Sequence, residues 1–172
     1  SDVDVLISGY GPTGATLANL LGARGWRVLV IDQAAAIYDK PRAITADQEA
    51  LRIFQEIGLA DEITQSTTPH PGTDFVGMQG QVIKRFYPAD PPNPLAWDPS
   101  FMFLQPDLER ILRSGLQRFP EVTVQLSTEV TGLEDAGDHV IVERVKLDGL
   151  RERTVKEFHE RDGRFYLKPR SE

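Results

Sequence analysis

Residues 4–32 read DVLISGYGPTGATLANLLGARGWRVLVID, and this stretch decides the fold. An apolar run at residues 5–7 breaks into the glycine-rich segment 9–14, and a helical pattern then leads to a second apolar run, 28–31. Asp32 closes that second run. The order strand, glycine turn, helix, strand, acid is typical of a βαβ unit that binds a dinucleotide. The alternative is a strand–turn–helix that binds no nucleotide and carries a surface aspartate.

Each residue of the turn has a physical reason to be there. Gly9 allows a tight turn, Gly11 leaves room for a pyrophosphate to approach the backbone, and Gly14 permits close packing of helix on strand. Pro12 suits the first helical position, where its missing N–H costs nothing. At Thr13 and Gly14 the first helical N–H groups lack internal partners, and the helix dipole is positive there. The turn therefore predicts an anion site.

Asp32 predicts the identity of the sugar beside that anion. Its carboxylate at the end of the second strand is expected to accept both hydroxyls of an adenosine ribose and to repel a 2′-phosphate. FAD or NAD is therefore favoured over NADP at this site. Gln33, the next residue, is included among the predicted cofactor contacts.

Composition excludes several other classes of protein. The chain has 172 residues, a net charge of -7 and no cysteine, so disulfides and thiolate chemistry are excluded. The acidic balance argues against nucleic acid or an anionic membrane as a partner, and no apolar run approaches the length of a membrane span. The three histidines are dispersed without metal-ligand spacing, so no metal site is predicted. We expect a cytoplasmic protein.

The middle of the chain predicts a helix followed by a small inserted sheet. Thr45 and Gln48 have the spacing of a capping box, and Ala50, Ile53 and Phe54 then recur at helical spacing. Residues 66–104 contain short apolar runs at 73–78, 82–87 and 101–104, with a proline-rich loop at 88–99. This pattern indicates a small antiparallel sheet inserted into the α/β framework.

The last third predicts a helix and then strands. Gln105-Pro106-Asp107 opens the helix, since proline suits a first turn. Alternating apolar residues follow at 122–126, 130–133 and 140–142, with Gly137-Asp138 as a turn. The charged segment 145–172 is expected to be a tail or edge strands. Arg42 lies in the loop beyond the second strand, where a solvated arginine and a phosphate contact are equally consistent with its spacing.

Three segments in order resemble one family. They are the opening βαβ unit, PRAI at 41–44 with the helix DQEALRIFQEIGL, and FLQPDLERIL at 103–112. Together they are similar to the N-terminal FAD-binding part of class A flavoprotein aromatic hydroxylases, nearest to the hydroxyphenylpropionate and phenol hydroxylase branch related to para-hydroxybenzoate hydroxylase. The similarity covers residues 2–144.

The resemblance implies a fold and a cofactor. It implies an α/β, Rossmann-like, glutathione-reductase-like FAD-binding domain at 1–144 with the inserted β region at 66–104. The segment 145–172 lies outside it and is of uncertain origin. The glycines of the turn would hold the FAD pyrophosphate and Asp32 the adenosine ribose. By the same resemblance, Arg42 would contact the phosphate and ribose region, and Gln105 the ribityl or phosphate side.

The resemblance also implies a reaction, and the chain departs from the family in one respect. The implied reaction is hydroxylation of a small phenolic substrate using NAD(P)H and O2. The sequence is compatible with a homodimer and leaves the oligomeric state open. No side chain is assigned a catalytic role, since the cofactor carries the chemistry. The family's Asp-Gly and Gly-Asp motifs have no convincing match, so the chain is expected to be an N-terminal fragment or a truncated form. Two alternatives stay open: a non-catalytic module that binds FAD or ADP, and an NAD-dependent oxidoreductase.

Overall fold

The computed structural model describes residues 3–40, 42–135, 139–146, 151–161 and 164–169. The chain divides into two compact units. The first combines Ser1–Tyr38 with Leu112–Glu172, and the second is the intervening segment Asp39–Ile111. The elements in chain order are β1 (Val5–Ser8), α1 (Pro12–Gly22), β2 (Val28–Ile31), β3 (Thr45–Asp47), α2 (Gln48–Glu56), α3 (Ala60–Thr64), β4 (Thr68–Pro69), β5 (Thr73–Val76), β6 (Val82–Phe86), β7 (Ser100–Met102), α4 (Gln105–Gly115), β8 (Val122–Gln125), β9 (Thr128–Asp135), β10 (His139–Lys146), β11 (Arg151–Arg161) and β12 (Arg164–Pro169).

A parallel sheet in the order β1-β2-β8 forms the core of the first unit. The central strand β2 pairs Val28 with Val5 on one side and with Val122 on the other. Val28, Val30 and Ile31 are almost completely buried, as expected of a parallel strand covered on both faces. The predicted βαβ unit is confirmed, with α1 as the helix that connects β1 to β2.

A buried asparagine joins α1 to the end of α4. The Asn19 side chain is inaccessible to solvent, and its amide nitrogen donates to the carbonyl oxygens of Ala15 at 2.9 Å and Leu112 at 2.8 Å. Arg118 Nη2 donates to the Asn19 Oδ1 atom at 3.1 Å. All polar atoms of this side chain are thus hydrogen-bonded, which a buried amide requires.

The rest of the first unit is an antiparallel meander. Its strands lie in the order β12-β11-β10-β9, each paired with its neighbour in sequence. The strands predicted around 130–133 and 140–142 are confirmed as β9 and β10. The predicted Gly137-Asp138 turn lies outside the described residues. The charged segment contains β11 and β12, and the proposed domain boundary after residue 144 stays a prediction.

Two small antiparallel sheets lie in the second unit. One has the order β3-β7-β4, and the other is the hairpin β5-β6. The predicted strands at 73–78 and 82–87 are therefore confirmed. The third predicted run begins a residue early as β7 and pairs with β3 and β4. Phe101 and Phe103 are buried with ring centroids 5.9 Å apart, whereas Trp97 is half-buried and donates to the Gln55 side chain.

The predicted start of α2 is wrong by two residues. Thr45 belongs to β3, where it pairs with Met102, so it does not cap the helix. Asp47 is the N-cap, and its side chain accepts a hydrogen bond from the Ala50 N–H at 3.1 Å. Either residue type is a good cap, and the strand pairing decides between them. The helix also buries Leu51, while Ile53, expected on the buried face, is 41% exposed.

The hairpin β5-β6 presents apolar side chains to solvent. Phe75, Val76 and Ile83 are each more than half exposed. Among the described residues, no helix is both long and apolar enough to cross a membrane.

Candidate cofactor-binding site

The glycine turn between β1 and α1 has the backbone geometry that its sequence predicts. Gly9 has a φ of +105°, a conformation that favours glycine, and its N–H donates to the Ile31 carbonyl oxygen at 2.7 Å. Gly11 is the N-cap of α1 and Pro12 occupies the first turn. Among the described residues no side chain caps this helix. The N–H groups at its start are thus left to solvent or to an anion.

Asp32 holds the first peptide of this turn. Its Oδ2 atom accepts a hydrogen bond from the Tyr10 N–H at 2.6 Å. In a trans peptide the carbonyl points opposite to the N–H, so the Gly9 oxygen is directed away from Asp32. A Cβ at Gly14 would collide with that same oxygen and would lie 3.0 Å from the Gly9 carbonyl carbon. Gly14 is therefore needed because the turn carbonyl occupies the space of a side chain.

The carboxylate of Asp32 has two main-chain partners. Besides Tyr10, the Ala34 N–H donates to its Oδ1 atom at 2.7 Å. The main chain of Asp32 is also held, because its N–H donates to the Gln125 oxygen and its carbonyl accepts from the Thr128 N–H, both at 3.0 Å. A carboxylate offers about four acceptor sites, so two remain for another donor. Sequence reasoning assigned Asp32 to a ribose and missed this structural role.

A cavity of about 260 Å³ lies at the end of β2 in the first unit. Asp32 and the exposed Gln33 line it together with Gly9. The remaining lining residues are Ser8, Ile31, Thr128, Glu129 and Val130. The carboxylates of Asp32 and Glu129 make the cavity acidic. Such a site disfavours a phosphate and suits a neutral group that donates hydrogen bonds.

Arg113 of α4 also contacts the turn. Its Nη2 atom donates to the Tyr10 carbonyl oxygen at 2.7 Å, and its guanidinium carbon lies 4.2 Å from the centroid of the Tyr10 ring. Burial raises the pKa of the Tyr10 hydroxyl, and the positive charge of Arg113 partly opposes that rise. Sequence reasoning missed both residues. Tyr10 could have been found from the sequence, because it is the residue between the first two glycines of the motif. Nothing in the local sequence distinguishes Arg113.

In the second unit, Gln105 holds the loop that carries Arg42. The Gln105 Oε1 atom accepts hydrogen bonds from the N–H groups of Arg42 at 3.0 Å and Ala43 at 2.9 Å. Its Nε2 atom donates to the buried carboxylate of Glu109 at 2.8 Å. Gln105 is buried, and its side chain accepts two hydrogen bonds and donates one within the protein. The Arg42 residue itself is exposed.

The predicted site residues therefore form two groups. The first unit brings together the turn with its Pro12 and Thr13, and next to it Asp32 and Gln33. The second unit brings Arg42 and Gln105 into direct contact. Their contacts with a cofactor stay a prediction.

Comparison with known proteins identifies the family. The family described as FAD binding domain matches residues 2–156. The chain is 40% identical over 153 residues to a 3-(3-hydroxy-phenyl)propionate/3-hydroxycinnamic acid hydroxylase of Paraburkholderia xenovorans (strain LB400), covering 89% of this chain and 24% of that protein. It is 39% identical over 155 residues to the protein of the same name from Comamonas testosteroni, covering 90% and 26%. The chain thus spans about a quarter of the length of these curated relatives.

A solved structure supports the fold. The flavin-dependent monooxygenase PieE, in complex with FAD and substrate, superposes with a TM-score of 0.75 at 23% identity. The match covers 91% of this chain and 29% of PieE. The α/β fold that the sequence predicts is therefore confirmed. With a family match over most of its length, the chain belongs to the FAD binding domain family, and the resemblance to flavin-dependent aromatic hydroxylases is confirmed.

Proposed function

We propose that this chain holds the ADP half of FAD and forms the cofactor-binding part of a monooxygenase that hydroxylates a phenolic aromatic compound with NAD(P)H and O2. The observation that carries the proposal is the glycine turn at the start of α1, held by Asp32 through the Tyr10 N–H at 2.6 Å. The family match and the names of the curated relatives support it.

The residues of the first unit fit the proposed cofactor. A Cβ built on Gly11 meets no described atom within 4 Å, so the backbone is open to a close approach there. The pyrophosphate would be held by the first N–H groups of α1, at Thr13 and Gly14, aided by the helix dipole and by Pro12 in the first turn. The ribose would bond to the free acceptor sites of Asp32, with Gln33 beside it. When bound, FAD would supply the redox chemistry, and the protein would orient it.

Arg42 and Gln105 would act as a pair. Because Gln105 holds the Arg42 main chain, its contribution would be to place the Arg42 loop, and the Arg42 guanidinium would contact the phosphate and ribose region. The Gln105 Nε2 atom carries two hydrogens and donates one of them to Glu109, so the other would be the one donated to the ribityl chain.

The names of the relatives support the choice of substrate, and the sequence motifs decide the second candidate. Their names point to a hydroxyphenyl acid, so a small phenolic acid is the proposed substrate. The second candidate is a module that binds FAD or ADP without turnover, and it is favoured because the family's Asp-Gly and Gly-Asp motifs have no convincing match in this sequence. NAD on the same turn is the third candidate.

One experiment separates these functions. The purified chain is incubated with FAD, freed of excess by gel filtration and examined by visible absorption, and then NADPH is added with 3-(3-hydroxyphenyl)propionate. Flavin bands and substrate-stimulated NADPH oxidation would support a complete enzyme. Flavin bands without oxidation would support the binding module. A protein that binds NAD but retains no flavin would contradict the proposal.

Three finer assignments stay predictions of this function. They are a cytoplasmic location, a homodimer, and a domain boundary after residue 144. Light scattering during gel filtration tests the dimer, and a chain ending at residue 144 that still binds ADP would support the boundary.

A further inference from the structure

Tyr10, the residue between the first two glycines of the turn, is held by two charged side chains. It is 4% exposed. Its N–H donates to Asp32 at 2.6 Å, and its carbonyl oxygen accepts from Arg113 Nη2 at 2.7 Å. The Arg113 guanidinium also lies over its ring. Hydrogen bonds to charged groups are stronger than neutral ones, so both backbone groups of this one residue are firmly oriented.

The hydrogen bond from Arg113 also fixes the next N–H. The Tyr10–Gly11 peptide is trans, and in a planar trans peptide the carbonyl and the N–H point in opposite directions. Because the Tyr10 oxygen faces Arg113, the Gly11 N–H points away from Arg113. Space for a ligand is present at this glycine, since an added Cβ would contact no described atom within 4 Å. Arg113 thus sets the direction of a donor at the open part of the turn.

We propose that Arg113 is a positioning residue for the pyrophosphate: it holds the Tyr10 carbonyl so that the Gly11 N–H is presented to the anion. This inference rests on the proposed function, since it assigns a residue to that same site. The guanidinium also adds a positive charge within hydrogen-bonding distance of the turn, which favours an anion there.

A purely structural role for Arg113 is the competing explanation. Arg118 offers a matched control. It is an arginine in the 3-10 helix Leu116–Arg118, which directly follows α4, and it bonds to a residue of α1. Its Nη2 atom donates to Asn19 Oδ1 and its Nε to the Gly115 carbonyl at 2.8 Å, and neither bond involves the turn. Loss of Arg118 should loosen the attachment of α1 without rotating a peptide of the turn.

Calorimetric titration with ADP and with adenosine separates the two explanations. Arg113→Met should weaken ADP binding about tenfold, the effect of losing an oriented charge-assisted bond, and change adenosine binding less than about twofold. Arg113→Lys keeps the charge and should recover part of the ADP affinity. Arg118→Met should leave the ratio of the two affinities unchanged. An equal loss for ADP and adenosine in Arg113→Met, or no loss at all, would overturn the inference.

A second measurement does not depend on binding. In the ¹⁵N-labelled chain, the Gly11 amide resonance should shift in Arg113→Met, or in Arg113→Lys if the first variant does not fold, and should stay in place in Arg118→Met. A wild-type chain that binds neither ADP nor FAD would contradict the proposed function and, with it, the assignment of Arg113 to a pyrophosphate, whereas a shifted Gly11 resonance would still show that Arg113 orients the peptide. An unmoved Gly11 resonance would contradict the positioning role whatever the chain binds.

Discussion

In the glycine turn, the path of the main chain depends on glycines that have no side chain, whereas in the second unit the side-chain amide of Gln105 holds the Arg42 loop. Gly14 is required because the Gly9 carbonyl fills the place of its Cβ, and the Tyr10 N–H is held by Asp32. In the loop, the Gln105 Oε1 atom accepts hydrogen bonds from two consecutive N–H groups, those of Arg42 and Ala43. In both regions a side chain predicted to touch a cofactor also holds the backbone. Two side chains predicted to contact a cofactor, Asp32 and Gln105, therefore also fix the main chain around them.

The largest expected effect comes from Gly14→Ala. The new methyl group would meet the Gly9 carbonyl, a backbone atom that the Tyr10–Asp32 bond holds in place. We expect the free energy of unfolding to fall by about 3 kcal/mol, measured by urea denaturation. Gly11→Ala is the matched control, because its Cβ meets open space, and it should cost less than about 1 kcal/mol. Equal stability losses in both variants would contradict the steric explanation.

The same control also tests the proposed site. Gly11→Ala should weaken ADP binding at least about tenfold because its methyl group would stand where the pyrophosphate approaches. An unchanged ADP affinity would show that the ligand does not come close to Gly11.

Replacing Gln105 should have the next largest effect on stability. Gln105→Leu would leave the N–H groups of Arg42 and Ala43 without their acceptor and Glu109 without the Gln105 donor. We expect a loss of about 2–3 kcal/mol in the free energy of unfolding. Gln55→Leu, which removes a hydrogen bond to Trp97 at the surface, should cost less than about 1 kcal/mol. A tolerated Gln105→Leu would mean that the loop is held by other contacts.

Gln105→Glu tests the contact between residue 105 and Glu109 through the pH dependence of stability. It keeps the acceptors but sets a second carboxylate against the buried Glu109, and this raises the folded-state pKa of one of the two acids. A raised carboxyl pKa destabilises the folded state above that pKa, so the variant should gain stability relative to wild type as the pH falls from about 7 to 5. A difference that does not change with pH would contradict this prediction.

Asp32→Asn should affect stability and binding together. One amide oxygen cannot replace two carboxylate oxygens that accept from Tyr10 and Ala34, so we expect about 1–2 kcal/mol less stability. ADP binding should weaken by about 1–3 kcal/mol, measured by calorimetry. Asp39→Asn makes the same chemical change at an exposed position and should alter neither quantity. Unchanged ADP affinity in Asp32→Asn would remove Asp32 from the proposed site.

Arg42→Met should have the smallest effect on stability. The residue is exposed and its main chain is held by Gln105, so the free energy of unfolding should change by less than about 0.5 kcal/mol. FAD binding should weaken about threefold at low salt, and the difference should shrink as salt screens the charge. Arg52→Met on α2 is the control. Equal FAD affinities for the two variants at low salt would contradict a phosphate contact by Arg42.

The elements that were predicted correctly from the sequence are those determined by neighbouring residues in the chain. The turn, α1 and β2 follow from the small residues and apolar runs of one continuous segment, and they are found as expected. The start of α2 was wrong because strand pairing takes up Thr45 and leaves Asp47 as the cap. Burial of Leu51 in place of Ile53 is likewise decided by packing.

The details of the site depend on distant contacts that no local pattern encodes. Tyr10 and Asp32 are 22 residues apart in sequence, and Tyr10 and Arg113 are 103 apart. An arginine late in an amphipathic helix is indistinguishable in sequence from one that faces solvent. The resemblance assigned Arg42 and Gln105 to the cofactor separately. It did not predict the hydrogen bond from the Arg42 N–H to the Gln105 side chain.

The glycine N-cap of α1 has a thermodynamic consequence. Replacing a polar N-cap by one without a hydrogen-bonding side chain typically costs a helix a few tenths of a kcal/mol or more, and no described side chain supplies that bond here. A bound pyrophosphate would supply it, so ligand and helix would stabilise each other by mass action. The free energy of ligand binding would then add to the apparent free energy of unfolding. The melting temperature should rise with the logarithm of ADP concentration once the dissociation constant is exceeded, and amide exchange in the first turn of α1 should slow in parallel.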